Sequence, residues 1–197
     1  MRAAVAIACG VGRVLAVFCA IAGAAPALPD EVRNVASTEA VAALQDAIAA
    51  RLQLMDDVAR YKWNHGLPVL DAAREAALLD RTTAEAVARG IPETYARRVV
   101  AAQIAASRAR QEELLQRWQD AAPPPTFADV PDLAREQRPA IDAATAALLT
   151  RLRTAMCSLD DTARTALAAP PQSFDGSTRV WATAVDPLWP PPSECRD

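Results

Sequence analysis

Two cations interrupt an otherwise apolar stripe in the first long amphipathic segment of the sequence. Positions from 41 to 62 taken at steps of three and four would lie on one face of a helix. In order they are Val41, Leu44, Ile48, Arg51, Met55, Val58 and Lys62. Two unpaired cations on a buried face would be strongly destabilising. Either this face is open to solvent at Arg51 and Lys62, or an anion meets them there.

A second segment repeats the pattern with neutral polar residues. Its stripe consists of Val100, Ile104, Ser107, Gln111, Leu114 and Trp118. Ser107 and Gln111 are four residues apart, and Gln111 carries an amide donor that needs no protonation. Gln103 lies one turn before Ser107 on a nearby face. These side chains could line a polar site or could bond the neighbouring backbone.

Charged residues also lie at the start of two further predicted helices. Asp71, Arg74 and Glu75 share one face of a short helix. Arg138 precedes Pro139, where a helix is expected to begin, and a cation is unfavourable at that end of the helix macrodipole. An anion shared between the helix N-terminus and the guanidinium would explain its position. A solvated salt-bridge face, and an Arg51 that extends to the bundle edge, are the structural alternatives.

Polar residues on apolar or otherwise unfavourable faces of several helices favour a functional interpretation over these alternatives. Together they predict a cation-rich pocket in the interior of a helical bundle. The ligand of such a pocket would be a small dianion or polyanion.

The amino-acid composition argues against several classes of protein. The 197 residues include 21 Lys and Arg, 24 Asp and Glu and a single His, which excludes a metal site built from several histidines. The formal charge of −3 and the scattered basic residues argue against a nucleic-acid partner. Only 5% of the residues are aromatic and 6 are Gly, so a strand-rich fold is not expected.

The elements that must position these residues are helices. Apolar periodicity predicts helices over residues 37–64, 71–80, 82–89, 93–119, 138–157 and, more weakly, 160–168. Gly66 and Pro68 end the first helix, and Gly90 ends the third. The expected fold is an all-α helical bundle of three long and several short helices, followed by a proline- and tryptophan-rich C-terminal segment.

Residues 1–27 have the features of a cleavable export signal. Arg2 and Arg13 precede a short apolar run, and small residues predict cleavage after Ala24 or Ala27. The run is too short for a convincing membrane span, although an uncleaved anchor is the alternative. Loss of the two arginines would change the formal charge from −3 to −5. The expected destination is the periplasm or the medium.

Cysteine usage fits an oxidising compartment. Cys9 and Cys19 would leave with the signal, so the mature chain would keep Cys157 and Cys195. An even number of cysteines in an exported protein predicts a disulfide, with two free thiols as the alternative. The bond would tie the C-terminal extension, residues 158–197, to the helical domain, residues 33–157.

Three motifs taken together resemble the exported, or gamma, subclass of AroQ-type helical chorismate mutases. They are Arg51-x10-Lys62-Trp63, Pro68-Val69-x-Asp71-x2-Arg74-Glu75 and Gln103-Ile104-x2-Ser107-x3-Gln111. The match covers residues 33–157. The export signal, Arg138 before the last long helix and the late cysteine pair also resemble this subclass. The rest of residues 158–197 is poorly matched, and no function is assigned to it.

The resemblance implies an enzyme, a chorismate mutase, that converts chorismate to prephenate by an intramolecular Claisen rearrangement. It implies no cofactor, no metal and no covalent intermediate. The expected partner is the small-molecule substrate alone, with no nucleic acid and no stable membrane anchor, and the expected assembly is a homodimer. The competing interpretation is a non-enzymatic exported helical binding or chaperone-like protein, which would leave the shared polar stripes unexplained.

The resemblance also assigns the catalytic roles. Arg51 would bind a substrate carboxylate, preferably through two parallel hydrogen bonds. Lys62 and Gln111 would donate to the ether oxygen, where negative charge develops as its bond to carbon breaks. Glu75 would accept a hydrogen bond from the ring hydroxyl.

The remaining site residues are expected to bind substrate. Arg138 would grip the second carboxylate and would complete the site within one chain. The backbone near Asp71 would assist at the ring hydroxyl, and Arg74 would add positive potential. Ser107 would bond a carboxylate, and Gln103 would line the pocket.

Overall fold

The computed structural model describes residues 30–195, so the predicted export signal, residues 1–27, lies outside the described residues. The helices are α1 (Asp30–His65), α2 (Ala72–Ala88), α3 (Glu93–Gln119), α4 (Arg138–Ala155), α5 (Asp161–Leu167) and α6 (Thr178–Val185). This part of the chain contains no strand, which confirms the predicted all-α class. None of its helices combines the length and the apolar character needed to cross a membrane.

The end of α1 is fixed by a glycine that adopts a left-handed conformation. Gly66 has φ +62°, and the amide of Leu67 donates to the carbonyl of Lys62 at 2.9 Å. A second bond runs from the Gly66 amide to the Trp63 carbonyl at 3.3 Å, which completes a Schellman motif. A residue with a Cβ would be strained at this φ. The motif turns the chain sharply, so that the segment before α2 folds back beside Lys62.

The two short helices predicted over 71–80 and 82–89 form one continuous helix, α2, and the predicted break is wrong. No Gly or Pro separates the two halves. Thr82 and Thr83 are both buried on the inner face, so the apolar side of the helix continues through them. Asp71 caps the helix by accepting a hydrogen bond from the amide of Arg74 at 3.1 Å.

The helix α4 begins at Arg138 as predicted, but its N-terminus is not free. A π-helical turn, Leu133–Gln137, runs directly into α4, and Asp132 caps it by accepting from the amides of Ala134 and Arg135 at 2.9 and 2.7 Å. Arg138 therefore lies one turn inside a helical segment. The expected unfavourable placement at a free helix N-terminus is wrong, because that end lies at Asp132 and is already capped by its carboxylate.

The core forms where α1 packs against α3 and α4, and α3 packs in turn against α2 and α6. Leu44, Ile48 and Leu52 of α1 are fully buried there. Residues on the inner side of these contacts surround a cavity, whereas the opposite side of α3 is covered by the C-terminal segment.

The C-terminal segment is built into the same hydrophobic core. Trp181 of α6, a helix that the sequence pattern did not predict, is fully buried and donates from Nε1 to the Leu167 carbonyl at 2.7 Å. The predicted disulfide between Cys157 and Cys195 is present and links the two ends of the segment. In the chain-entropy model such a loop contributes up to about 4 kcal/mol of stability.

Candidate functional site

A cavity of about 470 Å³ opens between α1, α2, α3 and the start of α4. Eight of the residues that the sequence analysis singled out line it. They are Arg51, Lys62, Asp71, Arg74, Glu75, Ser107, Gln111 and Arg138. Apolar side chains such as Met55 and Val58 form the rest of the wall, so the interior combines a low-dielectric surface with converging polar groups.

The cavity wall carries an excess of positive charge. Its charged side chains are Arg51, Lys62, Arg74, Arg108, Arg138, Asp71 and Glu75, which give a net formal charge of +3. Cations that converge in a concave, partly apolar site raise the local potential for an anion. The arrangement is therefore suited to a small molecule with two negative charges.

Arg51 is a buried cation that is held by neutral groups alone. Its Nη1 donates to Ser107 Oγ at 2.6 Å and to the Gln103 carbonyl at 3.1 Å, and its Nε donates to Thr145 Oγ1 at 3.1 Å. No carboxylate of residues 30–195 forms an ion pair with it. Burial lowers the pKa of Arg51 to about 10, which leaves it charged at neutral pH.

Lys62 projects from the last turn of α1 toward the segment that the Gly66 turn folds back. Its Nζ donates to the Val69 carbonyl at 2.8 Å. Partial burial lowers the pKa of Lys62, and the charges of Asp71 and Glu75 oppose that shift. The ammonium group is thus tethered at the cavity wall by a single neutral acceptor, which a ligand oxygen could replace.

Two further arginines approach each other across the cavity. Partial burial lowers the pKa of Arg74, and the next largest cause is the positive charge of Arg138. The Nε of Arg138 is buried and has no hydrogen-bond partner in the described part of the chain. Two guanidinium groups that disfavour each other, one with an unsatisfied donor, would be stabilised by an anion between them.

Glu75 is oriented by an arginine that the sequence analysis did not single out. Arg108 of α3 donates from Nη1 to Glu75 Oε2 at 3.0 Å, and both side chains are partly exposed at the cavity. Oε2 is therefore engaged, whereas Oε1 accepts no hydrogen bond from the described residues.

Gln111 lies at the inner end of the cavity beside Met55. Its Nε2 donates to the Ser107 carbonyl at 3.0 Å and approaches Met55 Sδ at 3.7 Å. Sulfur is a weak acceptor, so the second amide proton is available to a ligand oxygen. The hydroxyl of Ser107 is already used, because it donates to the Gln103 carbonyl at 2.7 Å while it accepts from Arg51.

Gln103 is the one predicted site residue that the cavity wall does not include, and we correct its assignment. Its side chain turns to the other side of α3, where Nε2 donates to the Ala184 carbonyl of α6 at 3.0 Å. The cause is helical geometry, since Gln103 lies about 40° around the axis from Ser107. Its carbonyl still fixes Arg51, so Gln103 contributes to the site through its backbone.

Sequence reasoning missed two residues that shape the site. Arg108 follows Ser107 directly and lies one turn from Gln111, so the adjacent stripe through residues 104, 108 and 111 could have shown it. Thr145 holds the Nε of Arg51 and donates to the Ile141 carbonyl at 2.7 Å. No sequence signal marks Thr145, because it is one of three threonines in an alanine-rich helix and nothing in its spacing distinguishes it from Thr150 and Thr154.

The described residues contain no group of three or more His, Cys, Asp or Glu side chains placed to hold a metal ion. The polar groups of the cavity are instead hydrogen-bond donors and cations. Such groups can bind carboxylates and stabilise negative charge on oxygen.

Comparisons with known proteins find chorismate mutases. The family model described as chorismate mutase type II matches residues 42–112. The secreted chorismate mutase of Mycobacterium tuberculosis (strain ATCC 25618 / H37Rv) is 33% identical over 117 residues, which are 58% of this chain and 57% of that protein. The match thus spans less than two thirds of the length of this relative.

Two solved structures match this chain over most of their own length. The chorismate mutase of Burkholderia thailandensis is 30% identical with a TM-score of 0.67, covering 76% of this chain and 98% of that chain. The secreted chorismate mutase of Yersinia pestis is 20% identical with a TM-score of 0.61, covering 74% of this chain and 94% of that chain, and supports the fold alone.

Proposed function

The chain belongs to the chorismate mutase type II family, and we propose that it catalyses the rearrangement of chorismate to prephenate as an exported enzyme. The observation that carries the proposal is Arg51, which is buried, charged and held by neutral groups alone in a cavity of net positive charge. A buried cation without a counter-charge destabilises the fold, and a bound anion would offset that cost. Chorismate, with two carboxylates, supplies such an anion.

The substrate is held at its two carboxylates. Arg51 and Arg138 would each bind one of them, and bidentate contacts would fix the orientation of each group. The unsatisfied Nε of Arg138 supports this assignment. Arg74 adds positive potential beside Arg138. Ser107 contributes by fixing the guanidinium of Arg51, and its hydroxyl could turn to a carboxylate oxygen.

The barrier is lowered at the breaking carbon–oxygen bond. As the ether bond lengthens, negative charge develops on its oxygen, and Lys62 and Gln111 would donate to that atom. A million-fold acceleration requires about 8 kcal/mol of transition-state stabilisation. One well-placed donor contributes about 3–4 kcal/mol, so two donors supply most of it.

The remaining stabilisation is conformational. The flexible enolpyruvyl side chain must fold over the ring into a chair-like geometry before the new carbon–carbon bond can form. Glu75, which would accept from the ring hydroxyl, and the backbone near Asp71 would fix the ring while the arginines fix the carboxylates. Holding that conformer removes an entropic cost from the reaction step. The rearrangement is unimolecular and neither oxidises nor reduces the substrate, so it needs no cofactor.

We also propose that residues 1–27 direct export and that residues 33–157 form the mutase domain, with residues 158–197 packed on it. The Cys157–Cys195 disulfide and the secreted relatives support an oxidising destination. More specifically, we propose that the mature protein resides in the periplasm. Measuring its amount in the periplasmic fraction and in the culture medium tests this proposal.

We propose a homodimer in which each protomer holds its own site. The dimer is what the family resemblance implies, and the five cations that one chain supplies to the cavity support a complete site in each protomer. Light scattering at a series of concentrations measures the assembly, and activity per protomer should not change when the dimer is diluted.

The test of the function is the loss of chorismate absorbance on addition of purified protein without added metal. Turnover that is lost on heating supports the proposal. A folded protein that is inert toward chorismate contradicts it and favours the alternative, an exported binding or chaperone-like bundle. Product identity is checked by converting prephenate to phenylpyruvate with acid and measuring its absorbance.

A further inference from the structure

The ion pair between Arg108 and Glu75 crosses the rim of the cavity from α3 to α2. The Nη1–Oε2 distance is 3.0 Å, and the Nε of Arg108 lies 3.9 Å from Glu112 Oε1 on the same helix. Two carboxylates thus fix the guanidinium on either side. Both members of the pair line the cavity, so the pair is placed to affect the site as well as to join the two helices.

Lys62 lies in the same cavity wall and has a reason to move toward Glu75. The negative charges of Asp71 and then Glu75 act on the Lys62 ammonium. The Asp71 carboxylate is engaged as the cap of α2, and Lys62 forms no ion pair in the described residues and donates instead to the Val69 carbonyl. A carboxylate that was not engaged elsewhere would compete for this ammonium. The competition would withdraw Lys62 from any ligand oxygen.

We propose that Arg108 is a positioning residue that engages Glu75 and thereby keeps Lys62 available to the substrate. The inference rests on the proposed function, because it concerns the same site. Arg108 contacts no reacting atom in this proposal. It leaves one oxygen of Glu75 free to accept from the ring hydroxyl and prevents an inhibitory Lys62–Glu75 pair.

The test compares kcat for chorismate in the full protein and in variants at the pair. Arg108→Met should lower kcat about fivefold, the population shift that a partly exposed ion pair can produce. Removing the freed carboxylate as well, in Arg108→Met with Glu75→Gln, should raise kcat above that of Arg108→Met alone. Arg108→Lys, which can still pair with Glu75, should stay within about twofold of the wild type.

Two controls separate positioning from other roles. Glu112→Gln in the Arg108→Met background restores the net charge at a residue outside the cavity wall, but it leaves Glu75 free, so kcat should stay low. Arg97→Met breaks the Arg97–Asp80 pair, which joins α3 to α2 at 2.9 Å outside the cavity, and should leave kcat unchanged.

Two kinetic results overturn the inference. If Arg108→Met keeps wild-type kcat, Arg108 has no part in the reaction. If Glu112→Gln rescues as well as Glu75→Gln does, Arg108 supplies only positive potential. Should Arg108→Met not fold, as judged by circular dichroism, Arg108→Gln carries the same comparison. An inert wild type fails the proposed function and this inference together, whereas an active wild type with an unaffected Arg108→Met fails the inference alone.

Discussion

Two arginines of this protein, Arg51 and Arg110, are both buried, with exposed fractions of 3% and 0%. Arg110 is surrounded by carboxylates: it binds Asp56 through two bonds of 2.9 and 2.8 Å, Asp175 at 2.6 Å and Glu113 at 3.2 Å. Arg51 meets two hydroxyls and a carbonyl. The two residues have the same burial and opposite electrostatic surroundings.

Their pKa values shift in opposite directions for that reason. Burial lowers the pKa of Arg51 with nothing to oppose it. Burial also tends to lower the pKa of Arg110, but the hydrogen bond and charge of Asp56, followed by the charges of Asp175 and Glu113, outweigh it and raise the pKa. Arg110 is thus compensated by carboxylates of the fold, whereas no carboxylate of the described residues compensates Arg51.

The helix α3 separates these two regions. Arg110 and Gln111 are neighbours in the chain, yet Arg110 joins α1 to the C-terminal segment through Asp56 and Asp175, while Gln111 lines the cavity. A buried cation is therefore not in itself a sign of function. The absence of a carboxylate partner beside Arg51, in a cavity, is what distinguishes the site from the scaffold.

The largest expected effect on stability is at Arg110. Arg110→Met leaves Asp56 and Asp175 without their cation, while Glu113 keeps Arg117, and it should lower the free energy of unfolding by about 3–5 kcal/mol. Urea denaturation followed by circular dichroism measures it. Asp175→Asn is the matched control, since Asp175 is exposed and its loss should cost at most about 1 kcal/mol. A small effect of Arg110→Met on the free energy of unfolding would show that this cluster contributes little to the stability of the fold.

The largest expected effect on turnover is at Lys62. Lys62→Ala removes a donor to the ether oxygen and should lower kcat by about 10²–10³-fold, with the fold retained. Arg60→Ala, on the same helix and exposed, should leave kcat nearly unchanged. Steady-state kinetics with chorismate measures both. Normal turnover in a folded Lys62→Ala protein would remove Lys62 from the mechanism.

A smaller effect on kcat is expected from a change of pH. Burial lowers the pKa of Lys62 below its ordinary 10.5, so the ammonium loses its proton at a lower pH than an exposed lysine would. Because the charged form donates, kcat should fall as the pH rises through that lowered pKa. From mildly acidic to neutral pH the rate should be flat, since Gln111 does not titrate.

The control for the pH profile is the residual activity of Lys62→Ala, which should lack the alkaline fall. A steep rise of the wild-type rate toward acidic pH would contradict the assignment of Gln111 as a neutral donor. The stability of the fold across the same range is followed by circular dichroism, so that unfolding is not mistaken for titration.

Much of the site could be predicted from the sequence, because the regular geometry of an α-helix determines which residues share a face. Arg51 and Lys62 stood out as cations in an apolar stripe, and both line the cavity. The interpretation of Arg138 as a residue at a free helix N-terminus was wrong, because a π-helical turn capped by Asp132 extends the helix by one turn. Local spacing does not encode such a turn.

Other features depend on tertiary contacts and could not be predicted. The helix α6 forms in a proline-rich region because Trp181 and its neighbours bury themselves against α3, and a short helix of this kind has little intrinsic stability. The spacing of Arg108 places it beside the polar stripe of α3, but its pairing with Glu75 on another helix is a tertiary contact that spacing does not encode. The roles of the cavity residues in catalysis stay predictions.

The most direct test of the account is the free energy of unfolding of Arg51→Met, measured with its kcat/KM for chorismate. Without Arg51, Ser107 still donates to the Gln103 carbonyl and Thr145 to the Ile141 carbonyl, so no buried donor loses its acceptor. We expect stability within about 1 kcal/mol of the wild type, or above it, and kcat/KM lower by at least about 100-fold. A loss of stability like that expected for Arg110→Met, with activity retained, would contradict the claim that Arg51 is kept for a ligand.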